Sequence, residues 1–143
     1  MNSATRNALE NIWSVFVLVM IAITILAIVK REDMKRTAVQ EYREAYHALV
    51  SQSFSESFPY VPQVWADAFT KETVDCLTAN FSARVKPKDF VVRRVTFGLL
   101  DGNIERAASP SEETQRACME RGALAAGGRI GEDVGYLLGQ LFK

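Results

Sequence analysis

One unbroken apolar stretch dominates the pattern of hydrophobic and polar positions along this chain. Residues 12–29 read IWSVFVLVMIAITILAIV and contain no charged residue, proline or glycine. A helix of this length, at about 1.5 Å per residue, extends over about 27 Å, close to the thickness of the hydrocarbon core of a bilayer. The pattern therefore predicts a transmembrane helix over residues 12–29, preceded by a polar tail over residues 1–11.

A secretory signal peptide shares the charged start and apolar centre of this stretch. The apolar region of a signal peptide is about 7 to 15 residues long and ends in an A-x-A cleavage site. Here the region is longer, and it ends in AIVKRED. We therefore expect an uncleaved signal anchor and a single-pass membrane protein.

A second helical pattern follows the apolar stretch directly, over residues 30–53. Val39, Tyr42, Tyr46 and Leu49 recur on one face at helical spacing. We expect the membrane helix to continue outward into this segment, which we name the stalk. The apolar stripe of the stalk packs either on the protein's own domain or in a short coiled coil with another copy or a partner.

A break in the helical pattern separates the stalk from the remainder of the chain. Residues 54–62 read FSESFPYVP, and the two prolines and two serines of this segment disfavour a helix. The segment predicts a hinge, after which residues 63–143 form one small domain. A broad apolar face predicts a helix over residues 63–81, with Trp65 and Phe69 as core anchors.

Two further helix starts are visible in the second half of the chain. Pro87 with Asp89 behind it favours a helix over the Val-rich and Phe-rich segment that follows, since no second strand is available to pair with it. Residues 99–108 contain an Asp-Gly turn and little predicted order. Ser109-Pro110-Ser111-Glu112 then forms a capping box, which predicts a helix that continues to Leu141. The predicted fold class is all-α.

The charges of the chain exclude some partners and suggest another. Lys and Arg together number 17 and so do Asp and Glu, so the formal net charge is zero. A local basic cluster lacks the interleaved aromatic platform that nucleic-acid binders use, which makes nucleic acid an unsuitable partner and anionic lipid or an acidic protein surface a suitable one. The cluster consists of Arg84, Lys86, Lys88, Arg93 and Arg94.

Two cysteines and one histidine supply the candidate chemistry. Cys76 and Cys118 lack a CxxC spacing, which argues against structural zinc and thioredoxin-like chemistry. They are candidates for one disulfide between two antiparallel helices, or for two unlinked buried thiols. His47, on the stalk, has no orienting partner in the pattern. We therefore expect no enzyme activity, cofactor, metal or small-molecule substrate.

The orientation in the membrane depends on two opposing arguments. A basic collar follows the span, which by the positive-inside rule places the domain in the cytoplasm. A disulfide requires an oxidising compartment, and a short N-terminal tail commonly stays cytoplasmic. We expect a bacterial inner-membrane protein with its C-terminal domain outside the cytoplasm. The collar consists of Lys30, Arg31, Lys35 and Arg36.

The C-terminal segment carries a row of glycines at a strict spacing of four residues. The row is Gly127, Gly131, Gly135 and Gly139. Such small-xxx-small steps let helix backbones approach closely, and the segment resembles the glycine-zipper segments of bacterial envelope proteins over about twenty residues. Arg129, Glu132 and Asp133 depart from the apolar pattern of zippers that insert, so we do not expect a second span.

The glycine row has three interpretations that the sequence leaves open. It packs within its own domain, contacts a helix of a partner or second copy, or lies on the membrane surface. The function we expect is a non-catalytic, membrane-anchored assembly or accessory subunit of a larger membrane or envelope complex. Its partners are the bilayer and other subunits or copies of itself. The alternative is a membrane-active protein whose glycine segment oligomerises in or perturbs a bilayer.

Overall fold

The computed structural model describes residues 2–141, which form six α-helices and no β-strand. The predicted all-α class is confirmed for this part of the chain. The helices are α1 (Ser3–Val29), α2 (Arg31–Ser57), α3 (Gln63–Arg84), α4 (Pro87–Val95), α5 (Gly102–Ala108) and α6 (Glu112–Leu141).

Helix α1 is long and apolar enough to cross a membrane. It begins at Ser3, so the predicted tail over residues 1–11 is mostly helical, and it includes the whole predicted span. Its apolar side chains are almost all exposed, and Ala27 is the residue that packing buries. An apolar helix that finds no cover in its own protein is typical of a segment whose natural surroundings are lipid.

The sequence led us to expect one continuous helix, but the structure contains two helices, α1 and α2. Lys30, with φ −93° and ψ 6°, separates them. The hydrogen bonds nevertheless bridge the junction, because the backbone N–H of Lys30 donates to Leu26 (3.0 Å) and that of Met34 donates to the carbonyl of Lys30 (2.9 Å). The interruption is therefore a local change of backbone angle rather than a flexible link.

The predicted hinge over residues 54–62 is too long, because α2 continues to Ser57. The serines are tolerated inside the last turn of α2. The helix ends where Pro59 and Pro62 occur, since proline lacks the N–H that the next helical bonds need. Phe54, inside α2, also gains a tilted contact with Phe69 of α3, with ring centroids 4.7 Å apart.

Helix α2 packs on the domain and is not a separate stalk. The ring of Tyr42 stacks on Phe81 of α3, with centroids 4.2 Å apart, and the hydroxyl of Tyr46 donates to the carbonyl of Ala108 (3.0 Å). Leu49, the last residue of the predicted stripe, is exposed. The structure therefore agrees with the alternative in which the stripe packs on the protein's own domain.

Helices α3 and α6 form an antiparallel pair that carries the core. The core also takes side chains from α2, α4 and α5. Trp65 and Phe69, the predicted core anchors, are only half-buried, so that prediction is wrong. They lie near the start of α3, whereas the α3 side chains of the main core cluster, Leu77 and Phe81, lie towards its end. The buried core is Tyr42, Leu77, Phe81, Val85, Phe90, Ile104, Ala107 and Cys118.

The second half of the chain confirms one predicted helix start and corrects two details. The carboxylate of Asp89 accepts from the backbone N–H of Lys86 (2.8 Å), which begins α4 as predicted. Residues 102–108, predicted to lack order, form α5, which buries Ile104 and Ala107. Helix α6 begins at Glu112, two residues later than predicted, because Ser111 rather than Ser109 caps it: the hydroxyl of Ser111 accepts from the N–H of Thr114 (3.2 Å).

Candidate functional site

The glycine row of α6 faces open space. For each of its four glycines, an added Cβ would meet no atom within 4 Å among the residues that the structure describes. Helix α3 packs on a different face of α6, through Cys118, Gly122 and the neighbourhood of Asp133. Within residues 2–141 the row therefore has no packing partner. The four are Gly127, Gly131, Gly135 and Gly139.

Gly122, one turn before the row, has the opposite environment. It is buried, and an added Cβ would lie 2.9 Å from the backbone carbonyl of Phe69 and would also collide with the side chain of Thr73. Glycine at this position lets the backbones of α3 and α6 approach closely. The sequence pattern marks the row but not Gly122, because Gly122 lies outside the spacing of four residues.

A hydrogen bond between side chains marks the place where the cover over α6 ends. The indole Nε1–H of Trp65 donates to a carboxylate oxygen of Asp133 (2.7 Å), and Arg129 Nε lies 3.7 Å from the other oxygen of that carboxylate. Asp133, one of the charged residues that argue against membrane insertion, thus links α6 to the start of α3. Beyond Asp133, no residue of α6 up to Leu141 is buried.

The uncovered end of α6 is apolar as well as glycine-rich. Four large apolar side chains of this end are 44–79% exposed, and the aromatic ring of Tyr136 is 68% exposed. Aliphatic side chains beside a row of glycines form ridges and a groove against which another helix can pack. The four are Val134, Leu137, Leu138 and Leu141.

Cys76 and Cys118 lie at disulfide-bonding distance, with their Cα atoms 5.4 Å apart. Cys76 is on α3 and Cys118 on α6, and Cys118 is buried. The predicted pairing of two antiparallel helices is therefore the arrangement that the structure contains. A disulfide here fastens the end of the α3–α6 pair opposite to the Trp65–Asp133 hydrogen bond.

All five residues of the basic cluster are exposed, and the structure divides them into two groups. Arg93 and Arg94, on the last turn of α4, line an open groove of about 960 Å³ together with the end of α1 and the start of α2. The other group, at the end of α3 and the start of α4, lies outside that groove and consists of Arg84, Lys86 and Lys88.

The titratable groups do not converge on a reaction site in the part of the chain that the structure describes. Burial, with Tyr46 beside it, raises the pKa of the Tyr42 hydroxyl, whereas an acid–base catalyst needs a pKa near neutral. His47 lines a shallow cleft in which Arg43 is paired with Asp75 at 3.0 Å. Residues 2–141 contain no group of three or more side chains arranged to hold a metal ion.

Comparison of the chain with protein families, with curated proteins and with solved structures gives no match. The features that bear on function are the exposed face of α6, the apolar surface of α1 and the charges beside α1.

Proposed function

We propose that the protein is a non-catalytic, membrane-anchored assembly or accessory subunit of a larger membrane or envelope complex. It joins that complex through helix–helix contacts made by the open face of α6. The observation that carries this proposal is that the glycine row faces no other part of the described chain. Each glycine costs a helix about 1 kcal/mol relative to alanine, and the close approach of a second helix offsets such a cost.

The exposed leucines beside the row support the same role. Leu137 and Leu138 are 60% and 48% exposed on the part of α6 that extends past its cover. Large exposed apolar patches on folded proteins mark sites of contact with other proteins or with membranes. The partner is a helix with small residues on its own surface, from another subunit or from a second copy of this chain.

Helix α1 supplies the anchor in this proposal. Its length and its exposed apolar side chains suit a bilayer, and the bacterial inner membrane is the location that we propose. The domain lies on the extracytoplasmic side, where the closely placed Cys76 and Cys118 oxidise and stay paired.

A bulky substitution in the row tests the proposal. Gly131→Leu adds a side chain that meets nothing within the described chain, so the protomer is expected to fold and insert normally. It fills the groove that a partner helix needs. In membranes of the producing cells, amine crosslinking of the full chain is expected to give a higher-mass product with the natural sequence and none with Gly131→Leu.

The matched control is Gly102→Leu, because Gly102 also has open space at its Cβ position but lies on α5. This variant is expected to crosslink as the natural sequence does. Equal crosslinking of Gly131→Leu and the natural sequence would overturn the proposal.

A membrane-active function is the second candidate, and the exposed apolar end of α6 favours it. In this alternative the end of α6 enters or perturbs the bilayer. Proteoliposomes that contain the full chain would then leak an entrapped dye, and Gly131→Leu would abolish the leakage. Intact vesicles, together with a crosslinked product that depends on Gly131, would support the assembly role instead.

A further inference from the structure

The groove beside the basic end of α4 lies against the last turns of the apolar helix. Ile23, Leu26 and Ala27 of α1 form one wall of it, and Phe90, Arg94 and Phe97 lie on the α4 side. With residues 12–29 in the hydrocarbon core, Ile23 lies roughly 9 Å below the end of the span at about 1.5 Å per residue. The groove therefore opens at the boundary between acyl chains and head groups.

The turn after α4 exposes large apolar side chains at the mouth of this groove. Phe97 is 74%, Leu99 85% and Leu100 64% exposed. Contiguous exposed apolar side chains of this kind mark a site of contact with another protein or with a membrane. We name residues 96–100 the interfacial turn.

The interfacial turn is held by hydrogen bonds rather than left loose. The N–H of Gly98 donates to Arg93 (2.8 Å), and the hydroxyl of Thr96 donates to Val92 (2.7 Å) and accepts from the N–H of Leu100 (3.2 Å). Phe97 has φ 53°, a left-handed conformation that is rare for a bulky residue. Such local strain is kept where the surrounding structure fixes it, and it occurs most often at functional sites.

Positive charge lies beside these apolar side chains. Arg94 is exposed and lines the groove, as does Lys30 at the junction of α1 and α2. Arg93 also lines it, with its Nε 3.6 Å from Asp101, and Asp33 and Glu41 lie on the α2 side. Lys30 directly follows the predicted span, and Arg93 and Arg94 precede the interfacial turn by three and two residues.

We propose that the groove and the interfacial turn bind an anionic phospholipid of the membrane that α1 crosses. Phe97, Leu99 and Leu100 enter the acyl boundary, and Lys30, Arg93 and Arg94 hold the phosphate. An apolar wedge with adjacent cations is the arrangement that suits the lipid–water interface. This inference rests on the membrane anchor of the proposed function.

Depth-dependent quenching tests the position of the turn. The full chain is reconstituted in vesicles of phosphatidylcholine and phosphatidylglycerol that carry a nitroxide near the top of the acyl chain. An environment-sensitive fluorophore is attached at Leu99→Cys, at Ile21→Cys within α1, or at Tyr60→Cys in the turn that follows the far end of α2. Tyr60 is 97% exposed, so it serves as the solvent control. Fluorescence is expected to be lost at positions 21 and 99 and retained at position 60.

The three positions separate the two proposals. Loss at position 21 with none at position 99 would overturn the lipid site and leave the anchor in place. No loss at position 21 would overturn the anchor, and with it both proposals. Loss at position 99 with crosslinking of the turn to a second protein chain would also overturn the lipid site.

Lipid selectivity tests the charges. When the quencher is moved from phosphatidylcholine to phosphatidylglycerol, quenching at position 99 is expected to increase. This preference is expected to fall about fivefold in Arg94→Gln, the factor expected for one cation at an anionic surface. Arg116→Gln, which removes an exposed arginine of α6, is expected to leave it unchanged. Equal preference in Arg94→Gln and the natural sequence would overturn the role of the arginine.

Discussion

The two halves of α6 carry the same residue type in opposite surroundings. In the first half Gly122 is buried against α3, and the nearby Cys118 lies beside Cys76. In the second half every glycine faces open space, and the apolar side chains around them are exposed. A glycine in a helix allows close approach of another backbone, and α6 makes one such approach inside the described chain and leaves its other glycines uncovered there, as the proposed assembly role requires.

The largest expected change in the free energy of unfolding comes from removing the cysteine pair in the covered half of α6. Removing a disulfide that closes a loop of 42 residues is expected to lower the free energy of unfolding by about 4 kcal/mol in the chain-entropy model. Urea unfolding of the full chain in detergent micelles, for the natural sequence and for Cys76→Ala/Cys118→Ala, measures the difference.

Reductant supplies the control for this measurement, because it is expected to lower the free energy of unfolding of the natural sequence to nearly that of the double variant. In intact cells an impermeant maleimide is expected to label Cys76 and Cys118 only after reduction. Labelling only after lysis, without reductant, would place the domain in the cytoplasm and contradict the proposed orientation.

A leucine in each half of α6 tests the contrast directly. Gly122→Leu must displace the backbone of Phe69, and such overpacking is expected to cost about 3 kcal/mol. Gly131→Leu adds the same side chain where nothing lies within 4 Å of the Cβ, and replacing a glycine within a helix is expected to stabilise it by up to about 1 kcal/mol. Chemical unfolding of both variants measures whether the free energy of unfolding falls in Gly122→Leu and rises in Gly131→Leu. Loss of stability in both would show that the second half is also covered in the protomer.

A loss of stability smaller than that of Gly122→Leu is expected at the boundary between the two halves. Trp65→Phe removes the N–H that donates to Asp133, and loss of a hydrogen bond to a charged group is expected to cost about 1.5 kcal/mol. The same substitution at Trp13, which is exposed on α1, serves as the control and should leave the unfolding midpoint unchanged. A larger hydrogen-exchange rate confined to α6 beyond Asp133 would show that this bond holds the end of the covered region.

Local signals in the sequence were sufficient for much of the fold. The apolar stretch predicted α1, Pro87 with Asp89 predicted α4, and the apolar spacing predicted α3. Each of these depends on residues that are close together in the chain. The sequence also identified Cys76 and Cys118 as a candidate pair, since both fall on predicted helices.

The features that the sequence did not predict depend on contacts between distant residues. Helix α5 forms because Ile104 and Ala107 find a core to enter, and its sequence alone favours a turn. Trp65 has the size of a core residue but is drawn to the surface by Asp133, 68 positions later. Similarly, the groove beneath Arg94 exists because α4 lies against α1, which no local pattern encodes. An exposed FGLL after a basic helix was the available signal for the interfacial turn.

The placement of α4 also has a mechanical consequence. Because Phe90 and its neighbours on α4 line one groove with residues from both sides of Lys30, the short helix braces the joint between α1 and α2. With the joint braced, a change in the tilt of α1 is expected to turn the whole domain with it as one body. The far end of α2, some 40 Å away along the helix at about 1.5 Å per residue, then sweeps through an arc several times larger than the displacement at the joint.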